Sequence, residues 1–138
     1  MRHIMTMTLT NLILRPGQSI FEQVVFAAIR AFVSGEYRPG QPFPSVRAMA
    51  ADLKIHPNTA HKVIQHLIRE GWLESLPGIG TVVATPPQAR ESDKTSLLTV
   101  EVEQLVVAAK KLGLPRAAVM EAIEAAWDRL SDDQGEKK

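Results

Sequence analysis

The chain contains no cysteine among its 138 residues. A disulfide framework, a thiolate metal site and a cysteine nucleophile are therefore excluded. Long apolar runs are also missing, and the first 14 residues carry a single Arg and are interrupted by Thr and Asn, unlike a secretory signal. We expect a cytoplasmic chain that does not enter a membrane.

A strong net charge is absent as well, because 16 Lys and Arg are offset by 15 Asp and Glu. Residues 1–18 carry two Arg and no acid, residues 19–87 carry six basic and five acidic side chains, and residues 88–138 carry eight basic and ten acidic ones. If the chain binds DNA, the first two thirds should do so. Two copies in a dimer would help to offset the weak positive electrostatic field of one chain.

Residues for catalysis and for metal binding are equally scarce. The sequence has no Walker-type glycine loop and no carboxylate cluster beside a His. His56, His61 and His66 are five residues apart, and this spacing turns each side chain by about 140° from the last on a helix. They cannot share one face, so we predict no enzyme activity, no cofactor and no metal site.

Three amphipathic helical patterns are present instead. The first is predicted from Ser19, where Ser19 and Glu22 match a capping box, to about Ser34, with Gly35 as a left-handed end. The second runs from Ser45 to Leu53 and places four apolar residues at helical spacing. The third begins three residues later. Two helices joined by so short a turn can hardly lie antiparallel, and they suit the angled pair that puts one helix in a DNA major groove.

The third helix starts at His56-Pro57, since proline suits the first helical position. His56 would then be the cap residue, although His caps less well than Ser or Asn. The apolar residues of this helix face inward. Four residues near its start should reach DNA bases first, namely Asn58, Thr59, His61 and Lys62.

A pair of short strands follows Gly71. They are predicted at residues 72–75 and 81–84, around a tip that contains Gly78 and Gly80. The two glycines fit either a hairpin turn that needs positive φ or a wing whose backbone approaches a phosphate. Trp72 is expected in the core at the base of this wing.

The last third of the chain is predicted to be a separate helical module. Residues 88–94 are polar and follow Pro86-Pro87, as is typical of a linker, and residues 95–131 form two amphipathic helices around Gly113 and Pro115. Such a hairpin is too small for its own core, so it should pack on the first domain or, more commonly, on a second chain. The predicted dimerisation residues are Leu98, Val102, Leu105, Ala109, Leu112, Val119, Ile123, Trp127 and Leu130.

The predicted architecture is therefore mainly α with a small β-wing. Residues 1–18 are an N-terminal arm, residues 19–87 a winged helix-turn-helix domain, and residues 132–138 a disordered tail after the dimerisation module.

Residues 43–83 read FPSVRAMAADLKIHPNTAHKVIQHLIREGWLESLPGIGTVV, preceded by SIFEQ and SGEYRPG. This stretch resembles the DNA-binding domain of the GntR family of bacterial transcription regulators, whose pattern is roughly LPSxRxLAxxLxVxxxTVxxALxxLxxEGxxxxxxGxGTFV. The segment LKIHPNT and the short helical C-terminus resemble the YtrA subfamily. Members of that subfamily lack a large effector domain and dimerise through two helices.

The resemblance implies roles for particular residues. Arg47 falls on the family's DNA-contacting Arg, Thr59 on the Thr that starts the recognition helix, and Gly78 on the wing glycine. Pro57 and His61 stand where many members have Arg, so strong guanine contacts are missing there. Sequence preference must then depend on Asn58, His61 and Lys62, on Arg47, or on DNA shape. The predicted DNA-binding residues are Ser45, Arg47, Pro57, Asn58, Thr59, His61, Lys62, Gly78 and Gly80.

The resemblance also implies a function, that of a dimeric repressor which binds double-stranded operator DNA at its own or an adjacent operon, with transporter genes as frequent neighbours. Some family members respond to a small-molecule effector, for which this chain offers only the inter-domain crevice or the dimer interface. Two alternatives stay open. One concerns the domain, which could be a protein-interaction module, as the missing arginines favour. The other concerns Arg47, which could be a surface residue that pairs with Asp52 or Glu70.

Overall fold

A computed structural model describes residues 12–131, which form two compact units, residues 12–87 and residues 88–130. The predicted arm up to residue 11 and the predicted tail lie outside the described residues. The first unit contains α1 (Ile20–Val33), α2 (Val46–Leu53), α3 (Pro57–Arg69), β1 (Leu73–Leu76) and β2 (Gly80–Val83). The second contains α4 (Glu91–Ser96), a π-helical turn (Leu97–Glu101), α5 (Val102–Lys111) and α6 (Arg116–Arg129). This order confirms the mainly α fold with a small β-wing.

Side-chain caps determine where the first three helices begin. The Ser19 hydroxyl accepts from the amide of Glu22 at 3.1 Å, and the Ser45 hydroxyl accepts from the amide of Ala48 at 3.1 Å. At α3 the Nδ1 atom of His56 accepts from the backbone amide of Asn58 at 3.0 Å. Each cap pairs an amide that has no partner within its helix. The three predicted starts are therefore confirmed.

The core of the first unit lies between the three helices and the wing. Its buried side chains from the helices are Val24, Ala28, Ala31, Phe32, Met49, Ala50, Leu53, Ala60, Val63, Ile64 and Leu67. An aromatic cluster closes it toward the wing, since the Phe32 ring stacks on Trp72 with centroids 5.5 Å apart and contacts Phe43 at 5.9 Å. The predicted core position of Trp72 is confirmed.

The wing is bonded on both edges of β2. Leu73 pairs with Val83 across the antiparallel hairpin. Strand β1 begins and ends one residue later than predicted, and β2 begins and ends one residue earlier. On the other edge the amide of Gly40 donates to the Val83 carbonyl at 2.7 Å, and the amide of Phe43 donates to the Thr81 carbonyl at 2.9 Å. The wing is thereby fixed to the segment that leads into α2.

The second unit begins with a helix and corrects the predicted linker of residues 88–94. Helix α4 starts at Glu91 and includes the last four of those residues. Its charges form exposed pairs one turn apart, Arg90 with Asp93 at 3.4 Å and Lys94 with Glu91 at 3.1 Å. Acidic residues in a first turn and pairs at this spacing favour helix by a few tenths of a kcal/mol each.

The helical segment from α4 to α5 contains a π-helical turn, and the second unit buries almost none of its side chains. Within the π-helical turn the Thr99 hydroxyl donates to the Thr95 carbonyl at 2.8 Å. Gly113, at φ +74°, follows the end of α5, and Pro115 precedes α6, both as predicted. Among residues 88–130 only Ala109 is buried, so this unit has no core of its own.

Lys54, in the turn between α2 and α3, is expected to lower the stability of the fold. Its φ of 57° and ψ of 48° are left-handed, a region that costs a non-glycine residue roughly 1–2 kcal/mol. Glycine removes this cost but enlarges the unfolded ensemble by about 0.5–1 kcal/mol. We therefore expect Lys54→Gly to raise the free energy of unfolding in urea by about 0.5–1 kcal/mol.

The matched control for this substitution is Lys54→Ala, which removes the same side chain but keeps the left-handed cost. It should unfold at the same urea concentration as the parent or at a lower one. A Lys54→Gly protein no more stable than Lys54→Ala would contradict a strained turn.

Candidate nucleic-acid interface

Helix α3 separates its side chains cleanly into two faces. Ala60, Val63, Ile64 and Leu67 are buried in the core. The opposite face is exposed, and it carries Asn58, His61, Lys62, Gln65 and Arg69. Thr59 is half-buried between the two faces. The face that the sequence assigned to DNA is thus polar, continuous and open to solvent.

The first turn of α3 presents side chains rather than free backbone amides. The amide of Asn58 is taken by His56, and the amide of Thr59 donates to the His56 carbonyl at 3.0 Å. Pro57 has no amide hydrogen to offer. Any contact that this end makes with a ligand would therefore use the exposed side chains of Asn58, His61 and Lys62.

Arg47 lies in the first turn of α2 and is exposed. Within residues 12–131 it makes no ion pair, so the predicted alternative of a surface pair with Asp52 or Glu70 is not formed. Ser45, by contrast, already uses its hydroxyl as the cap of α2. Arg47 is thus a cation available to a phosphate or a base edge, whereas the Ser45 hydroxyl serves the helix.

The helix-turn-helix carries a cation that sequence reasoning did not select. Lys54 is exposed in the turn between α2 and α3, and Lys62 is exposed on α3. Like Arg47, neither is in an ion pair within the described part of the chain. Net charge averages over the whole chain, so it did not show that Arg47, Lys54 and Lys62 are left without an ion pair on this motif among the described residues.

The wing brings two glycines to an exposed tip. Gly78 has φ +77° and Gly80 has φ +113°. A Cβ added at either residue would meet nothing within 4 Å, so these glycines serve the backbone conformation rather than a lack of space inside the protein. Between them Ile79 is 73% exposed, a residue that the sequence pattern did not single out.

The predicted dimerisation residues lie on the second unit and are mostly exposed. Leu98 is 69% exposed and Leu112 73%, whereas Val119 and Leu130 are half-buried and Ala109 is buried. Further exposed apolar residues, which the predicted stripe omitted, are Leu97, Val100, Val106 and Val107. The apolar surface of this helical run therefore extends beyond one narrow stripe.

An open groove of about 770 Å³ lies on the first unit, between residues 12–19 and α1. Ile13 and Phe26 give it apolar walls, and Arg15, Glu22 and Arg30 give it exposed charges. No polar side chain is buried within residues 12–131. The groove therefore has room for a small molecule but no buried group that would select one.

No group of three His, Asp or Glu side chains in residues 12–131 is arranged to hold a metal ion. In that range no helix has the length and apolar character needed to cross a membrane.

Comparison with known proteins gives a family and several relatives. The model of the family described as bacterial regulatory proteins, gntR family, matches residues 21–83. The uncharacterized HTH-type transcriptional regulator YhcF of Bacillus subtilis (strain 168) is 31% identical over 108 residues, which are 78% of this chain and 89% of YhcF. The HTH-type transcriptional repressor YtrA of the same organism is 29% identical over 125 residues, 90% of this chain and 94% of YtrA.

Solved structures share the fold at lower identity. A transcriptional antiterminator from Listeria monocytogenes EGD-e superimposes with a TM-score of 0.73 at 20% identity. The match covers 86% of this chain and 90% of the Listeria chain. At this identity the similarity supports the architecture alone.

Proposed function

Because the chain belongs to the GntR family of bacterial regulatory proteins, and is therefore a DNA-binding transcriptional regulator rather than an enzyme, we propose that it is a dimeric repressor. It binds a palindromic operator in its own operon or an adjacent one, with transporter genes as expected targets, and it works in the cytoplasm. In each half-site α3 enters the major groove.

The observation that carries this proposal is the surface of the helix-turn-helix. Arg47, Lys54 and Lys62 are exposed and unpaired there, beside the polar face of α3 that begins at Asn58. Cations of this kind bind phosphates, and the side chains at the start of a recognition helix contact base edges. With Pro57 and His61 in place of arginines, sequence preference depends on Asn58, His61 and Lys62, on Arg47, or on the shape of the DNA.

The apolar second unit supports the dimer. Its side chains, apart from Ala109, are not buried by the chain itself, and exposed apolar patches of this kind usually mark an interface. A module of 43 residues is too small to bury such faces alone. A second copy offers the same apolar surface and gives the two-fold symmetry that a palindromic operator requires.

Repression is proposed by similarity to YtrA, which is named a repressor and matches 90% of this chain. A repressor needs only to occupy its operator.

The proposal is tested by binding of the full chain to the DNA upstream of its own gene, measured by fluorescence anisotropy across a salt series. We expect affinity at least about a thousandfold above that for random DNA, with the logarithm of the binding constant falling linearly as the logarithm of salt concentration rises. Equal affinity for both DNAs, or affinity indifferent to salt, would leave the protein-interaction alternative as the better account.

A further inference from the structure

The wing tip is a tight turn that projects two apolar side chains. The Ile79 amide donates to the Leu76 carbonyl at 3.0 Å and closes a four-residue turn. Pro77 occupies its second position and Gly78, at φ +77°, its third, as a type II turn requires. Pro77 and Ile79 are both exposed. Since proline and the hydrogen bond hold the turn, the tip is a preorganised apolar projection.

The wing carries no cation with which to bind a phosphate. No Lys or Arg occurs in residues 70–89, and the charged residue of the hairpin strands is the exposed Glu74. A wing that contacts DNA through charge needs Lys or Arg near the backbone. Any contact between the tip and DNA must therefore use apolar surface and the little backbone that its glycines expose.

A turn that projects one or two apolar side chains fits the minor groove of DNA. That groove is about 6 Å wide, too narrow for a hairpin but wide enough for a turn with one or two side chains. Proteins that enter it commonly use Pro, Ile, Leu, Phe or Met as wedges. The guanine N2 amino group projects into the groove, and an apolar side chain beside it would leave that donor unpaired.

We propose that Pro77 and Ile79 enter the minor groove next to the half-site read by α3 and select A·T over G·C pairs there. This inference rests on the proposed function, since it assigns part of the operator specificity to the wing. Ile79 is then a specificity-determining residue, and it compensates for the arginines missing from α3.

The test uses the full chain and duplexes selected from a random-sequence library. In the segment flanking each half-site, A·T pairs are replaced by G·C or by inosine·C, which lacks the N2 amino group but keeps the major-groove edge of G·C. We expect G·C to lower affinity about fivefold or more and inosine·C to restore it. If inosine·C binds as weakly as G·C, the amino group is not what the wing reads and the proposal is wrong.

Substitutions at Ile79 test whether this residue causes the preference for A·T pairs in the flanking segment. Ile79→Ala should reduce the discrimination between A·T and G·C flanks to twofold or less, and Ile79→Lys should also increase the salt slope by about one because it adds a phosphate contact. Val33→Ala, another exposed apolar residue, is the matched control and should discriminate like the parent. Circular dichroism should show the same fold for all three.

The two proposals fail in different ways. If the library yields no preferred duplex, the proposed function fails. If a preferred duplex is found and Arg47→Ala loses it while Ile79→Ala discriminates like the parent, only the role of the wing is overturned.

Discussion

Arg47→Ala is expected to weaken operator binding by about 5- to 150-fold, corresponding to about 1–3 kcal/mol, without unfolding the protein. Arg47 is the exposed arginine in the first turn of α2, and it makes no ion pair within residues 12–131 that its loss would disturb. Surface substitutions of this kind usually change stability by less than about 0.5 kcal/mol. Anisotropy titrations on the operator and urea unfolding measure the two effects separately.

The matched control for Arg47 is Arg30→Ala. Arg30 is exposed in the last turn of α1, outside the helix-turn-helix, and its loss should leave affinity within about twofold. The salt series also identifies the contact. If Arg47 binds a phosphate, the variant should lose affinity for all sequences and reduce the slope by about one, whereas a base contact should relax preference at one position. Parent-like affinity in Arg47→Ala would remove this residue from the interface.

Leu105→Glu is expected to convert the dimer to monomers and to lower operator affinity by about 10²- to 10⁴-fold. Leu105 is 44% exposed on the apolar surface of α5, next in the predicted stripe to the buried Ala109. A carboxylate there would have to be desolvated in the interface, which costs several kcal/mol without a partner. Each winged helix would then bind its half-site alone and lose the advantage of linkage.

The control for the dimer is Lys110→Glu, which introduces the same carboxylate at an exposed charged position of α5. It should remain dimeric by sedimentation analysis. The melting behaviour of the first unit should be unchanged in both variants, because its core is built from residues 12–87. A dimeric Leu105→Glu protein, or a monomeric parent, would contradict an interface made by the second unit.

The parts of the fold that depend on local chemistry were predictable from the sequence. Ser19, Ser45 and His56 each cap the helix that follows them, and a cap depends on residues within one turn. The inward face of α3 follows from a strict helical spacing of apolar residues. These features position the surface that we propose faces DNA, so its helical part was also predictable.

The features that were not predicted have different origins. Residues 91–94 were predicted as a linker from their polar composition, although the i,i+3 spacing of their charges equally suits the exposed helix that the structure shows. In the sequence Ile79 is an ordinary hydrophobic residue between two glycines. Its exposure to solvent follows from the turn that the structure shows. The unpaired state of Lys54 likewise depends on which acids lie nearby in space.

The most direct test of a dimer that places two recognition helices in DNA is hydroxyl-radical footprinting of the full chain on the selected duplex. The structure and the family predict two protected segments related by a two-fold axis, with centres about one helical turn, or 10 base pairs, apart on one face of the DNA. A single protected half-site, or protection without two-fold symmetry, would contradict the dimeric winged-helix account.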